Sequence, residues 1–147
     1  MNTEKQAVRI YSEAATDFFK KNHIDLEKLS LEKKYFFTLE DYNSNTINIS
    51  IERNIILIGK YQFLNNLIYP IIEFCLFRQG TMLVPVSLTT GRKTINSSVY
   101  SDTNVKITSP ERHTELIDLL SKHLEKYKNF DFIVTEQCIS DPTTNIM

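Results

Sequence analysis

One stretch of the sequence, residues 33–80, constrains the fold more than any other. It contains three short apolar runs, KYFFTL, TINISI and NIILIG, followed by a longer apolar segment, LIYPIIEFCLFRQ, that ends at Gly80. In the second run Ile47, Ile49 and Ile51 alternate with polar residues, which is the period of a strand with one buried and one solvated face. We therefore predict three successive strands joined by tight turns.

The longer segment, residues 67–79, is predicted to be a helix. Pro70 is tolerated if regular helix begins near residues 67–69, because the first turn does not need its missing N–H, and Gly80 provides the stop. The helix is apolar around most of its circumference and needs cover on two sides. A second copy of the chain is the expected source of that cover, since two-fold dimers are the commonest oligomers. One face carries Leu67, Ile68, Ile71, Ile72, Cys75 and Leu76, and Phe74 and Phe77 lie away from it.

Two further helices are predicted, one at each end of the chain. Thr3 and Gln6 form a capping box for the first, which ends at Asn22 and His23. Ser109-Pro110-Glu111 opens the last with a cap, a proline and an acidic residue in the first turn. The apolar stripe of the first helix is Ala7, Tyr11, Ala14 and Phe18, widened by Val8, Ala15 and Phe19. That of the last is Leu116, Ile117, Leu120, Leu124 and Tyr127.

The remaining elements are a hairpin and a short final strand. MLVPVSL and TINSSVY are predicted to pair around a turn at Gly91, with Pro85 at an edge, a bulge or a non-bonded position. FDFIV, from Phe130, adds a short strand. The 147 residues predict one α+β domain over 1–130 and a short, partly disordered extension over 131–147. The predicted order is helix-strand-strand-strand-helix-strand-strand-helix, an antiparallel sheet packed by helices.

Composition and charge exclude several classes of function. The formal net charge is -1, with no clustered basic residues, so binding to nucleic acid is not expected. No run approaches the roughly 18 apolar residues of a membrane span, and the first residues lack a signal-peptide core, which predicts a cytoplasmic protein. Cys75 and Cys138 lack metal-site spacing and are predicted to be reduced thiols. No metal or cofactor is predicted.

No catalytic motif stands out in the sequence. Asp41, Glu73 and His113 are the candidate acid–base residues for an enzyme, but no spacing forces any two of them together. His113 and His123 lie ten residues apart on the last helix, unlike the i, i+4 pair of a helical metal site. Both are predicted to be solvated, and His23 is interpreted as a polar helix cap.

The order of elements, the length and the absence of catalytic motifs resemble the class I chaperones of bacterial type III secretion systems. The pieces that carry the resemblance are TINISIERNIILIGKY, then IIEFCLFRQG followed directly by TMLVPVSL, and finally SPERHTELIDLLSKHLEKY. The resemblance covers about residues 3 to 128. It implies a small cytoplasmic homodimer that binds the amino-terminal segment of one secreted effector in extended form and keeps it soluble.

The resemblance also implies roles for individual residues. In this family the second helix supplies much of the dimer contact, and apolar patches on the first helix and the sheet receive the effector. Such a segment gains backbone hydrogen bonds and places alternate side chains in apolar pockets. The alternatives are a regulatory or structural subunit that pairs through the same helix, a small enzyme, or a secreted effector domain. The implied dimer contact is Tyr69, Ile72, Glu73, Leu76 and Phe77, and the implied effector patch is Phe18, Phe19, Leu31, Tyr35 and Phe37.

Overall fold

A computed structural model describes residues 10–139 of the chain. The fold is α+β with a large antiparallel sheet, as the sequence predicts. It has two α-helices where three are predicted, so the predicted order of elements is wrong. The helices are α1 (Glu13–Lys21) and α2 (Pro110–Glu125), and a short 3-10 helix covers Leu26–Lys28. The strands are β1 (Lys34–Glu40), β2 (Thr46–Glu52), β3 (Ile55–Leu64), β4 (Leu67–Gln79), β5 (Met82–Thr90), β6 (Lys93–Asn96), β7 (Ser98–Tyr100), β8 (Val105–Ile107) and β9 (Ile133–Ile139).

The main sheet has seven strands in the order β6-β5-β4-β3-β2-β1-β9. β1 to β6 form an antiparallel meander, and β9 returns from α2 to pair with the free side of β1. β9 is thus part of the sheet. β7 and β8 form a separate two-stranded ribbon. Strands predicted in the three apolar runs and in MLVPVSL are confirmed, and β2 shows the predicted alternation of buried and half-buried residues.

The prediction of a helix over Leu67–Gln79 is wrong, because this segment is the long strand β4. It pairs with β3 through a two-residue turn in which Asn65 and Asn66 both have positive φ, of 53° and 65°. Asparagine tolerates that conformation, and the turn matches the twist of a hairpin. The residues from Phe74 to Phe77 are buried on both faces of the sheet. A strand covered on both faces has no polar alternation, so its sequence resembles a helix that is apolar all round.

Pro70 is accommodated in β4 because its ring nitrogen faces the outer side of the strand. Counted from the turn, Tyr61–Pro70 is a non-hydrogen-bonded pair, so the ring nitrogen of Pro70 points away from β3. Its carbonyl oxygen accepts a hydrogen bond from the Gly91 N–H at 3.2 Å. The register with β3 then shifts by one residue, at Ile71. A second shift leaves Val86 as the extra residue next to Pro85, which confirms the bulge among the positions predicted for that proline.

The main core lies between one face of the sheet and the two helices. It combines Phe18 and Phe19 of α1 and Leu116, Leu120 and Leu124 of α2 with the inward residues of β1 to β5. The other face carries a smaller cluster of Cys75, Phe77 and Val86, which the β7–β8 ribbon covers through Val105 and Tyr100. The sheet is therefore covered on both faces only near its centre.

Helix α1 begins later than predicted, at Glu13. The Ser12 side chain caps it by accepting a hydrogen bond from the Ala15 N–H at 3.1 Å, and the Ser12 N–H donates to the Leu83 carbonyl of β5 at 2.8 Å. Tyr11 therefore precedes the helix. The predicted cap at Thr3 and Gln6 and the predicted disorder of 140–147 lie outside the described residues. α2 begins after Ser109 as predicted.

Candidate binding surfaces

A groove of about 1220 Å³ opens at the end of the sheet that carries the β2–β3 and β4–β5 turns. Its walls are α1, the connector over 23–31 and the start of β5. Buried Phe19, Ile24 and Leu83 lie in its lining, and Tyr11, Leu31 and Met82 are exposed there. The groove is therefore an open, partly apolar surface.

Specific hydrogen bonds hold the connector that forms one wall of the groove. The Arg78 guanidinium donates to the Leu26 carbonyl at 2.7 Å, which ties the 3-10 helix to the end of β4. The buried Tyr35 hydroxyl accepts a hydrogen bond from the Ser30 N–H at 2.9 Å. These two hydrogen bonds hold the connector at Leu26 and at Ser30. Leu31, just beyond them, is left 52% exposed.

The charged residues of the groove are mainly acidic. Four carboxylates line it, against the ammonium of Lys20 and the guanidinium of Arg78, which is already bonded to Leu26. An apolar segment that carries basic residues fits this combination best, because the carboxylates attract its charges and Leu31 and Met82 pack on its side chains. The four carboxylates are Glu13, Asp17, Asp25 and Glu27.

The five residues implied as an effector patch do not form one surface. Phe19 and Leu31 both line the groove, and Leu31 alone of the five is exposed. Phe18, Tyr35 and Phe37 belong to the main core, where the rings of Tyr35 and Phe37 stack at 6.4 Å. Of the buried four only Phe19 borders the groove, and a partner in this conformation meets Leu31. Their roles in effector binding stay predictions.

A second surface is the part of the β3–β4 hairpin that extends beyond the sheet, residues 61–71, which we name the arm. The pairing of β2 with β3 ends at Asn48–Gly59, and that of β5 with β4 ends at Thr89–Glu73. The sequence from Tyr61 to Ile72 contains no charged residue. Six large apolar side chains of the arm are 45–74% exposed: Phe63, Leu64, Leu67, Ile68, Tyr69 and Ile71.

The base of the arm is built around Gly59. A Cβ on Gly59 would lie 2.7 Å from the Tyr61 ring and 2.8 Å from the Ile72 carbonyl oxygen, so the ring packs directly over the glycine. The Tyr61 hydroxyl then donates to the Glu73 carboxylate at 2.7 Å. Burial raises the pKa of Tyr61, and Glu73 raises it further. Burial, followed by Glu73, raises the pKa of Cys75 to about 11. Tyr61 therefore stays a donor and Cys75 a protonated thiol.

The implied dimer contact is divided between the arm and the core. Tyr69 lies on the exposed arm, and Ile72 and Glu73 are half-buried at its base. Leu76 and Phe77 are buried within the subunit, between the sheet and its covers. The excess apolar surface inferred from the sequence is thus present at the start of residues 67–79 and absent at its end.

The three candidate acid–base residues are held apart in separate hydrogen-bonded environments. Asp41 accepts bonds from the backbone of Asn43 and Asn45 in the β1–β2 turn, and the Asn45 side chain lowers its pKa. Glu73 is bonded to Tyr61 at the base of the arm. His113 is buried at the start of α2. Within residues 10–139 no group of three or more metal-ligating side chains could hold an ion.

The prediction that His113 and His123 are solvated is wrong, because both are buried. His113 Nε2 lies 2.6 Å from the Ile10 carbonyl oxygen, and Nδ1 lies 3.1 Å from the Ser97 hydroxyl. These distances assign the ring proton to Nε2, with Ser97 donating to Nδ1. The sequence contained a signal for this burial. His113 precedes Leu116 by three residues and His123 precedes Tyr127 by four, so both lie on the apolar stripe of α2.

His123 packs between the aromatic rings of Phe74 and Tyr127, at 5.5 and 5.4 Å. Its Nε2 is buried and has no hydrogen-bond partner among residues 10–139. Burial first, and then the charges of Lys126 and Lys60, lower the pKa of His123 to about 4. The ring is therefore neutral at physiological pH and acts as a packing group.

No protein-family model, no curated protein and no solved structure matches the chain. Among residues 10–139, neither helix is long and apolar enough to cross a bilayer.

Proposed function

We propose that the protein is a non-catalytic binding protein, a secretion chaperone that holds an extended segment of another polypeptide in the groove. The observation that carries the proposal is the groove itself, where exposed apolar residues stand among four carboxylates. The client class, the amino-terminal segment of a secreted effector, is taken from the sequence resemblance to the type III secretion chaperones, although the helix expected over 67–79 in that resemblance is the strand β4. The resemblance also implies a cytoplasmic homodimer, which we include in the proposal.

The groove suits a binding role without chemistry. The groove is open to solvent, so an extended segment can enter and leave it without unfolding of this protein. A disordered segment spends part of its interaction energy on becoming ordered, so it needs a long contact with several apolar anchors. Tyr11 just before α1, Leu31 at the end of the connector and Met82 at the start of β5 provide such anchors.

The test is co-expression of the tagged full chain with candidate secreted effectors, followed by pull-down of wild type and two variants. Leu31→Asp places a charge in the groove and should abolish retention of the client. Leu64→Asp is a matched control, because Leu64 is 53% exposed, close to the 52% of Leu31, but lies on the arm. Equal retention by wild type and Leu31→Asp would rule out the groove as the client site.

A regulatory or structural subunit is the second candidate, and the uncharged arm favours it. Such a protein needs an apolar contact with a fixed partner and no site for an unfolded client. Its signature in the same pull-down is a folded partner that Leu64→Asp releases and Leu31→Asp retains.

A further inference from the structure

We infer that the arm is the contact through which two copies of this chain pair, with the arms of the two subunits packed together by their side chains. The inference deepens the proposed homodimer and rests on it for the identity of the partner. Client binding in the groove does not depend on it, because groove and arm lie at opposite ends of β3 and β4. At about 3.3 Å per residue, the ten residues of β3 put them roughly 30 Å apart.

The arm is apolar on both of its faces. Phe63 pairs with Ile68 and Leu64 with Leu67, and successive pairs in a hairpin point to opposite sides. Neither β2 nor β5 extends along these pairs. A two-stranded hairpin without such cover is at best marginally stable in water. The arm therefore needs a partner that covers both of its faces.

The exposed area of the arm is close to what a stable dimer requires. Taking about 200 Å² for a fully exposed large side chain, the six exposed residues present on the order of 700 Å² per copy. A standard interface buries about 800 Å² per partner. This total counts both faces of the arm, so only a contact that buries both faces, with small additions from neighbouring loops, reaches that size. The two arms therefore wrap around each other in the inferred dimer.

The absence of charge from Tyr61 to Ile72 favours a second copy as the partner. A two-fold contact places each surface against itself, so any charge near the axis meets a like charge. An uncharged surface avoids this repulsion. The groove, with its excess of carboxylates, would not.

On the β4 side the geometry favours contact through side chains over pairing of strand edges. The outer edge of β4 offers no N–H at Pro70, and the Pro70 carbonyl is already bonded to Gly91. A lipid surface fits less well than a protein surface, because the exposed tip of the arm is Asn65-Asn66. Insertion by the tip would carry two amide side chains into the bilayer first.

The experiment is sedimentation equilibrium of the full-length chain between about 1 and 100 µM. Wild type should have the mass of a dimer, and Ile68→Ser should weaken the dimer at least tenfold. Val99→Ser is the matched control, because Val99 is 56% exposed and Ile68 60%, and both are β-branched residues on strands. Val99→Ser should leave the dimer unchanged.

Several outcomes would overturn the inference. They are a monomeric wild type at 100 µM, a dimer that Ile68→Ser leaves intact, and a monomer that binds anionic lipid vesicles through Ile68. Circular dichroism of each variant confirms that the fold is retained, which exposed positions allow. If Ile68→Ser proves unfolded, Phe63→Ser on the same face replaces it in the same measurement. Loss of the dimer without loss of the client would uphold this inference and the proposed function together.

Discussion

Gly59 shows how one residue positions the arm. Its missing side chain lets the Tyr61 ring lie across the strand, and that ring joins β3 to Glu73 of β4 where the hairpin leaves the sheet. The close approach of the Ile72 carbonyl oxygen makes the site rigid, since backbone cannot move aside as a flexible side chain can.

Gly59→Ala should therefore destabilise the protein by about 1–3 kcal/mol, the usual cost of overpacking. Urea unfolding measures the change. In a Tyr61→Ala background the substitution should still be unfavourable, because the Ile72 oxygen remains 2.8 Å from the new Cβ. A neutral effect in either background would show that the hairpin base is more open than described here.

His123 should make stability depend on pH. Its pKa is about 4 in the folded protein and about 6.5 in the unfolded chain, so the unfolded state binds a proton first as the pH falls. The stability is fully present above pH 6.5 and is lost progressively toward pH 4. At about 1.4 kcal/mol per pKa unit, the loss is on the order of 3 kcal/mol.

Urea unfolding at pH 7 and pH 4.5 measures this loss, with His123→Phe expected to reduce it. His23→Asn is the control. His23 is exposed with φ 59°, a conformation that asparagine also tolerates, so the control should keep the wild-type pH dependence. An equal loss in wild type and His123→Phe would assign the pH dependence to other groups.

At the scale of elements, β4 is both a core strand and half of the arm. Its burial changes along its length, from the exposed Leu67 to the fully buried Leu76. Leu76→Ala should cost about 2–5 kcal/mol because it leaves a cavity in the main core, whereas Leu67→Ala should cost under about 0.5 kcal/mol in the dilute protein. Thermal unfolding compares the two in the Leu64→Asp background, which is predicted to be monomeric. Similar costs would contradict the strand register.

The elements that the sequence predicts well are those with one solvated face. β2 alternates, α2 carries a cap and a stripe, and both were located by their periods. β4 was misassigned because tertiary cover on both faces removes the alternation that marks a strand. The Asn65-Asn66 turn was the local signal for a hairpin, and it lies just before the misassigned segment.

The sequence predicts the candidate surfaces only in part, because tertiary cover decides which apolar residues stay exposed. The sequence revealed an excess of apolar residues over 67–79, but not which of them the sheet covers, since that depends on where β5 and the ribbon end. The sequence resemblance places Leu31 in the effector patch. Its neighbours in the groove come from α1 and β5, two elements that are far apart in the chain. The order of the strands in the sheet determines which of these residues meet, and the periodicity of the sequence does not specify that order.

At the scale of the whole molecule, the two ends of the sheet differ in chemistry. The groove end combines apolar side chains with carboxylates, and the arm end offers an uncharged hairpin. Six of the fifteen exposed large apolar side chains in residues 10–139 lie on the arm, so the apolar surface is concentrated rather than scattered. This separation would let one subunit bind a client and a second copy at once.

The charge of the groove gives a further prediction. Asp17→Asn should weaken binding of a client with basic residues about two- to fivefold, in the range of an exposed ion pair. Raising the salt concentration should weaken the wild type more than the variant. Fluorescence anisotropy of a labelled client segment measures both effects. A salt-independent affinity would remove the carboxylates from the binding mechanism.

The central claim is that client and partner subunit bind at opposite ends of one sheet, and its most direct test compares Leu31→Asp with Leu64→Asp. Each variant is co-expressed with the client and purified, and the mass of the purified species is measured by light scattering. The account predicts that Leu31→Asp remains a dimer and loses the client, whereas Leu64→Asp keeps the client and becomes monomeric. Loss of both properties in both variants, or of neither in either, would contradict it.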